Sequence, residues 1–121
     1  MKRDMELIRK ILLAIEANDE VYGASRGQPI KIDGAAEPVV NYHLRLLADA
    51  GYLLNGSTSP TMPLVQGLTW KGHDFVDTMR PKEVWDRVLM AVKKVGTMAL
   101  DAILDLGKDI AKDQARKHLG L

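Results

Sequence analysis

The chain has 121 residues, one domain's worth, and its 46 % hydrophobic and 27 % charged content excludes a disordered chain. Its formal net charge is +1, so no global field draws it to nucleic acid or a membrane, and any such surface must be a local patch. There is no cysteine, which excludes disulfides, cysteine-ligated zinc and thiol catalysis and fits a reducing compartment. The opening MKRDMELIRK mixes acid with base and lacks the apolar run of a signal peptide. No apolar segment approaches the roughly 18 residues of a membrane span, so a soluble cytoplasmic protein with no membrane partner is expected.

Asp4 is placed to cap a first helix running to about Ala17, with Glu6 at its positive end. Ile8, Ile11, Leu12 and Ile15 recur at the helical spacing and form its core stripe. Lys2, Arg3, Arg9 and Lys10 lie off that stripe, either as a solvated face or as phosphate contacts. From Asn18 to Glu37 the chain changes character, because Gly23, Gly27, Pro29 and Gly34 interrupt any long helix. Pro29–Asp33 alternates apolar and polar residues and predicts a short strand. GASRG at Gly23–Gly27 lacks the spacing and the lysine of a phosphate-binding loop. A helix-turn-helix normally sets a full second helix here, and this chain has little room for one.

The stretch Val40–Leu54, VNYHLRLLADAGYLL, organises the rest. Val40, Leu44 and Leu47 share one face of a helix predicted from Ala35 to Ala50, and Pro38 suits its first turn. Gly51 can take the left-handed conformation that ends a helix, and Tyr52-Leu53-Leu54 then begins a strand. The outward positions are Glu37, Asn41, Tyr42, Arg45 and Asp49. Asn and Arg are the side chains that pair bidentately with adenine and guanine edges, although Glu37 and Asp49 oppose a phosphate backbone. His43 has no second ligand at metal spacing and reads as a semi-buried packing residue.

Tyr52–Asn55 and Leu64–Thr69 can pair as a hairpin around a loop, Gly56–Pro63, that contains no Lys or Arg. A wing that grips DNA usually carries cations for the phosphates. Thr69 can cap a helix to Met79 whose core face is Phe75, Val76 and Met79, with His73 and Asp77 meeting on its surface. Pro81 starts the next helix, striped by Val84, Trp85, Val88, Leu89, Val92 and Val95. Trp70 and Trp85 are expected in the core or beneath this helix. After Gly96, Thr97 is the expected cap of a last helix striped by Leu100, Ile103, Leu104, Gly107, Ile110, Ala111 and Gln114. On its other side Asp105, Asp109 and Asp113 are each answered three residues on, by Lys108, Lys112 and Arg116.

Two resemblances follow from these motifs. Val40–Leu53 resembles the HL-x-x-L-x-x-A-G-L signature of bacterial winged-helix regulators, and Gly67–Phe75, GLTWKGHDF, resembles the L-T-x-x-G that closes their wing. That resemblance implies that Asn41, Tyr42 and Arg45 point into a major groove. The opening MKRDMELIRKILLAIE, with YHLRLLADAGYL and GLTWKGHDFVD, is similar to a small uncharacterised family of phage, prophage and bacterial proteins. This second resemblance implies a winged-helix fold and no known activity.

The expected fold is α+β, mostly helical: a winged helix-turn-helix over residues 1–80 and a C-terminal helical extension over 81–121, for packing or oligomerisation. Two functions of different class remain open. One is a small DNA-binding regulator of phage or prophage type, a homodimer through its C-terminal helices. In it Asn41, Tyr42 and Arg45 read double-stranded DNA while Lys2, Arg3, Lys31 and Lys71 touch phosphates. The other is a non-enzymatic protein-interaction module on the same scaffold, favoured by the uncharged wing. No acid–base or nucleophile–base pair points to an enzyme, and no cofactor or metal is expected.

Overall fold

Asp4 opens the first helix as its side chain predicts. Its carboxylate accepts from the backbone N–H groups of Glu6 (3.0 Å) and Leu7 (3.2 Å), two donors that helix α1, Met5–Ala17, would otherwise leave bare. The computed structural model describes residues 1–23, 26–57, 63–96 and 98–120, and the chain divides into two compact units, Met1–Val76 and Asp77–Leu121. In the first unit, Leu7 joins Ile8, Ile11, Leu12 and Ile15 in the buried face of α1. Asn18 ends that helix and its side chain accepts from the Glu20 N–H to start α2, Asp19–Gly23, a single short turn where a helix-turn-helix sets a full helix.

Pro29–Asp33, predicted as a strand, is irregular. Gln28 and Val65 exchange backbone hydrogen bonds of 2.8 and 2.9 Å as an isolated bridge. The next hydrogen-bonded pair of an antiparallel ladder would set Ile30 opposite Pro63, which has no N–H to give. Ile30 is still buried and pins the segment to the core.

Helix α3, Glu37–Asp49, carries Pro38 in its first turn and buries Val40, His43, Leu44 and Leu47. It ends in a Schellman motif: Tyr52 N–H reaches the Leu47 carbonyl (2.9 Å), Gly51 N–H reaches Ala48 (3.1 Å), and Gly51 takes φ +87°. Strands β1, Leu53–Ser57, and β2, Leu64–Leu68, then pair antiparallel, with Leu53 opposite Leu68 and Leu54 opposite Gly67 before a register shift. Tyr52 precedes the strand and is fully buried, its ring edge-on to Phe75 at 6.0 Å. Leu47 sits 1 % exposed in this core, so Leu47→Ala should cost about 2–5 kcal/mol, read as a lowered urea midpoint. An unchanged midpoint would mean that this face does not carry the fold.

Helix α4, Trp70–Met79, buries Phe75, Val76 and Met79 as expected. His73 and Asp77 do not meet: the His73 ring stacks on Tyr22 at 6.4 Å, and Asp77 accepts from Arg80 at 3.3 Å. Trp85 is 4 % exposed, but Trp70, also expected in the core, is 85 % exposed.

In the second unit α5, Lys82–Val95, packs on α6, Leu100–His118. Val84, Trp85 and Val88 are buried, whereas Leu89 and Val92 are half-buried and Val95 is exposed. Leu100, Ile103, Leu104, Gly107 and Ile110 are buried within the chain, so this stripe does not require a second subunit to cover it. Ala99 holds the cap position of α6, and Thr97 lies outside the described residues. Asp113 pairs with Arg87 of α5 (3.0 Å) and with Lys117 (3.4 Å) rather than with Arg116. The Arg87 hydrogen bond, and then Lys117, hold its carboxyl below the ordinary aspartate range.

Candidate functional site

The outward face of α3 is built together with the N-terminal arm. Tyr42 Oη donates to the Met1 carbonyl (3.0 Å), and the Asp4 N–H donates to Nε2 of His43 (2.9 Å). Consecutive residues of α3 thus hold the two ends of Met1–Asp4, and Lys2 and Arg3, both exposed, lie between the anchors. His43 is 0 % exposed, more deeply set than expected, and its Nδ1 meets the Val39 carbonyl at 2.8 Å. To accept at Nε2 and donate at Nδ1 the ring is neutral, with its proton on Nδ1. Its edge-on contact with Tyr42, 5.3 Å between centroids, completes the clamp.

Arg45 is exposed one turn beyond Tyr42, and Asn41 is half-buried one turn before Arg45. Asn41, Tyr42 and Arg45 share a face of α3, and Tyr42, at its edge, holds the arm that carries Lys2 and Arg3. Glu37 and Asp49, also exposed, bound this face at the two ends of the helix. Lys31 is exposed on the irregular segment before α3.

Lys71, expected to touch a phosphate, is half-buried and makes contacts within the chain. Its ammonium donates to the Ala50 carbonyl (3.2 Å) and lies 5.0 Å above the centre of the Tyr52 ring. Thr69 works on the same joint, donating from Oγ1 to the Gly51 carbonyl (2.6 Å) and accepting from the Gly72 N–H (3.1 Å). Thr69 N–H also donates to the Tyr52 carbonyl (3.2 Å). Ala50-Gly51-Tyr52 and Thr69-Trp70-Lys71-Gly72 are thus one interlocked junction that fixes the end of α3 against the start of α4. A cation that caps the α3 carbonyls also complements the negative end of that helix.

Sequence reasoning missed a second surface. Tyr22 lies over Gly67 of β2, where an added Cβ would come within 2.6 Å of the ring. The same ring stacks on His73 of α4. Burial first, then Glu16 and Asp19, push the Tyr22 phenol above its ordinary value, against a hydrogen bond with the Leu68 backbone. The isolated tyrosine gives no sign of this, although a glycine inside a strand does signal close approach of another group. Ala24 and Ser25 of GASRG, and residues 58–62 of the hairpin loop, lie outside the described residues.

Among the described residues no cluster of three metal-binding side chains occurs, and no helix is long and apolar enough to cross a membrane. A family profile described as "Hypothetical protein (DUF2513)" matches residues 2–99. A protein of Haemophilus influenzae, described as "Uncharacterized protein", is 35 % identical over 115 residues, covering 93 % of each chain. No solved structure matches the chain.

Proposed function

The chain belongs to the DUF2513 family of hypothetical proteins, and from the outward face of α3 and the N-terminal arm held at its edge we propose a small winged-helix DNA-binding protein, a regulator of phage or prophage type. The observation that carries the reading is the pair of anchors, Tyr42 to Met1 and Asp4 to His43, which holds the arm bearing Lys2 and Arg3 along the Tyr42 edge of α3. The order of elements supports it: helix, bridge to the hairpin, helix, two-stranded wing. The phage or prophage setting rests on the resemblance of the motifs.

In this reading α3 enters a major groove. Arg45 offers its planar fork to guanine, and Asn41 its amide to adenine. Lys2 and Arg3 contact flanking phosphates. Tyr42, whose hydroxyl is spent on the arm, positions those cations instead of reading a base. Lys71 secures the helix end and is not counted among the phosphate contacts.

The test is titration of labelled duplex, random and then from the flanking genomic region, at two salt concentrations. Arg45→Ala should cost about 1–3 kcal/mol on the preferred site and little on random duplex. With Lys2 and Arg3 as the phosphate contacts, log affinity should fall with log salt at a slope of about −2, far shallower than for proteins that grip six or more phosphates. Absence of binding at about 50 μM protein in low salt would overturn the reading. The second reading, a non-enzymatic protein-interaction module, is favoured by the Gly56–Pro63 segment, which holds no Lys or Arg, and by the engagement of Lys71. It is the account left standing by that result.

A further inference from the structure

Four side chains outside the α3 face are used neither by the core nor by the proposed DNA contact. Trp70 is 85 % exposed at the first position of α4, and His73 follows one turn later. Tyr22, 44 % exposed, stacks on His73 with the ring planes 22° apart and covers Gly67. Leu54, 47 % exposed, sits opposite Gly67 in the hairpin, and cross-strand partners project from the same side of a sheet. Tryptophan is rarely left this open, and tryptophan and tyrosine together dominate the energetic centres of protein interfaces. All of these residues belong to the first unit.

The charges beside this surface select among occupants. Asp19 and Glu20 are exposed on α2, in the same short helix as Tyr22, and Glu16 lies in the last turn of the preceding helix. Asp74 follows His73 on α4. Arg26 is the nearest cation in sequence to α2 and leaves the balance acidic, while the ammonium of Lys71, beside Trp70 in sequence, is turned to Ala50. Phosphate backbones and anionic lipid headgroups are repelled by such a rim. A second copy docked through the same surface would face these carboxylates with their own duplicates. A lysine or arginine side chain meets both attractions at once, since it is drawn by the carboxylates and by the faces of exposed aromatic rings.

We propose that Trp70, Tyr22, His73 and Leu54 form a docking site for a basic, apolar-anchored peptide segment of a partner protein. A Lys or Arg of the partner lies against Trp70 and Tyr22, and an adjacent apolar side chain covers Leu54. The site shares no residue with the α3 face and stands whether or not α3 binds DNA.

The probe is an acetylated, amidated dodecapeptide rich in arginine and leucine, with a glutamate-for-arginine twin and oligothymidylate as comparisons. The full chain is titrated at low salt and followed by tryptophan emission. Because Trp85 is buried, the change reports Trp70. The expected result is saturable binding of the cationic peptide with a blue shift, weakened about tenfold or more in Trp70→Ala and in the double variant Asp19→Asn with Glu20→Gln, followed by peptide fluorescence anisotropy. Both variants alter exposed residues, and circular dichroism melting should show them folded. No saturable binding up to about 1 mM peptide overturns the proposal, as does undiminished binding by folded Trp70→Ala. Oligothymidylate binding that is stronger than that of the peptide and is lost in folded Trp70→Ala assigns the surface to nucleic acid and also overturns it. Arg45→Ala should leave peptide affinity unchanged, so failure here and failure of the DNA reading are separable.

Discussion

Gly72→Ala should destabilise the first unit by about 3 kcal/mol or more, seen as a fall of roughly 10–20 °C in its melting temperature. A Cβ at this position would press on the Tyr52 carbonyl oxygen, well inside contact distance, and would lie 3.1 Å from the Leu68 Cβ. The neighbour that would have to give way is main chain, and that main chain is already fixed. Tyr52 N–H is committed to the Leu47 carbonyl and its own carbonyl to Thr69 N–H. Moving it therefore opens the Schellman turn of α3 and the closure of the wing together. Gly23→Ala is the matched control: it lies in a helix, nothing is within 4 Å of its would-be Cβ, and it should shift stability by no more than about 0.5 kcal/mol. Equal melting curves for the two variants would show that the approach of α4 to Tyr52 does not limit stability.

The same junction explains what was legible in the sequence. As helix ends, Asp4, Gly51 and Thr69 act through bonds to neighbours a few residues away or through a demand on their own φ, so these signals are local and the helix ends they set fall close to where expected. The buried stripes of α1, α3 and α6 were readable for a related reason, since spacing fixes a shared face before any partner is known. Residues whose roles depend on distant chain were not legible. Lys71 reads as one more surface cation until the fold sets its ammonium 5.0 Å above the Tyr52 ring and within reach of the Ala50 carbonyl at the end of α3. Pro29–Asp33 has the alternation of a strand, but its ladder is stopped by Pro63 on the far side of the hairpin. Hydrophobicity alone placed Trp70 inside, and it stands exposed at the start of α4. Asp113 finds Arg87 because α5 packs alongside, a pairing that i, i+3 arithmetic within one helix does not contain. At the candidate site, the composition of the α3 face was readable from spacing; the arm held at its edge by Tyr42 and His43 was not.

His43 is the residue on which that arm turns, and replacing it tests packing and hydrogen bonding separately. In His43→Ala both the ring volume and the acceptor for Asp4 N–H are lost, at a cost of about 3 kcal/mol. In His43→Phe the ring remains but the acceptor goes, leaving a part-buried N–H bare, for about 1–3 kcal/mol. Asp4 also caps α1, so the loss travels in two directions. The amides of Glu6 and Leu7, held by its carboxylate, should exchange faster along with that of Asp4, while the Leu47–Tyr52 turn keeps its protection. Functionally, Lys2 and Arg3 remain present but are no longer held between two anchors. Duplex affinity should then fall, though by less than in the double variant Lys2→Ala with Arg3→Ala, because the cations remain and only part of the arm's ordering is paid on binding. Unchanged exchange at Asp4 in His43→Phe would show that the ring holds the arm by contact alone, and the clamp would have to be assigned to Tyr42.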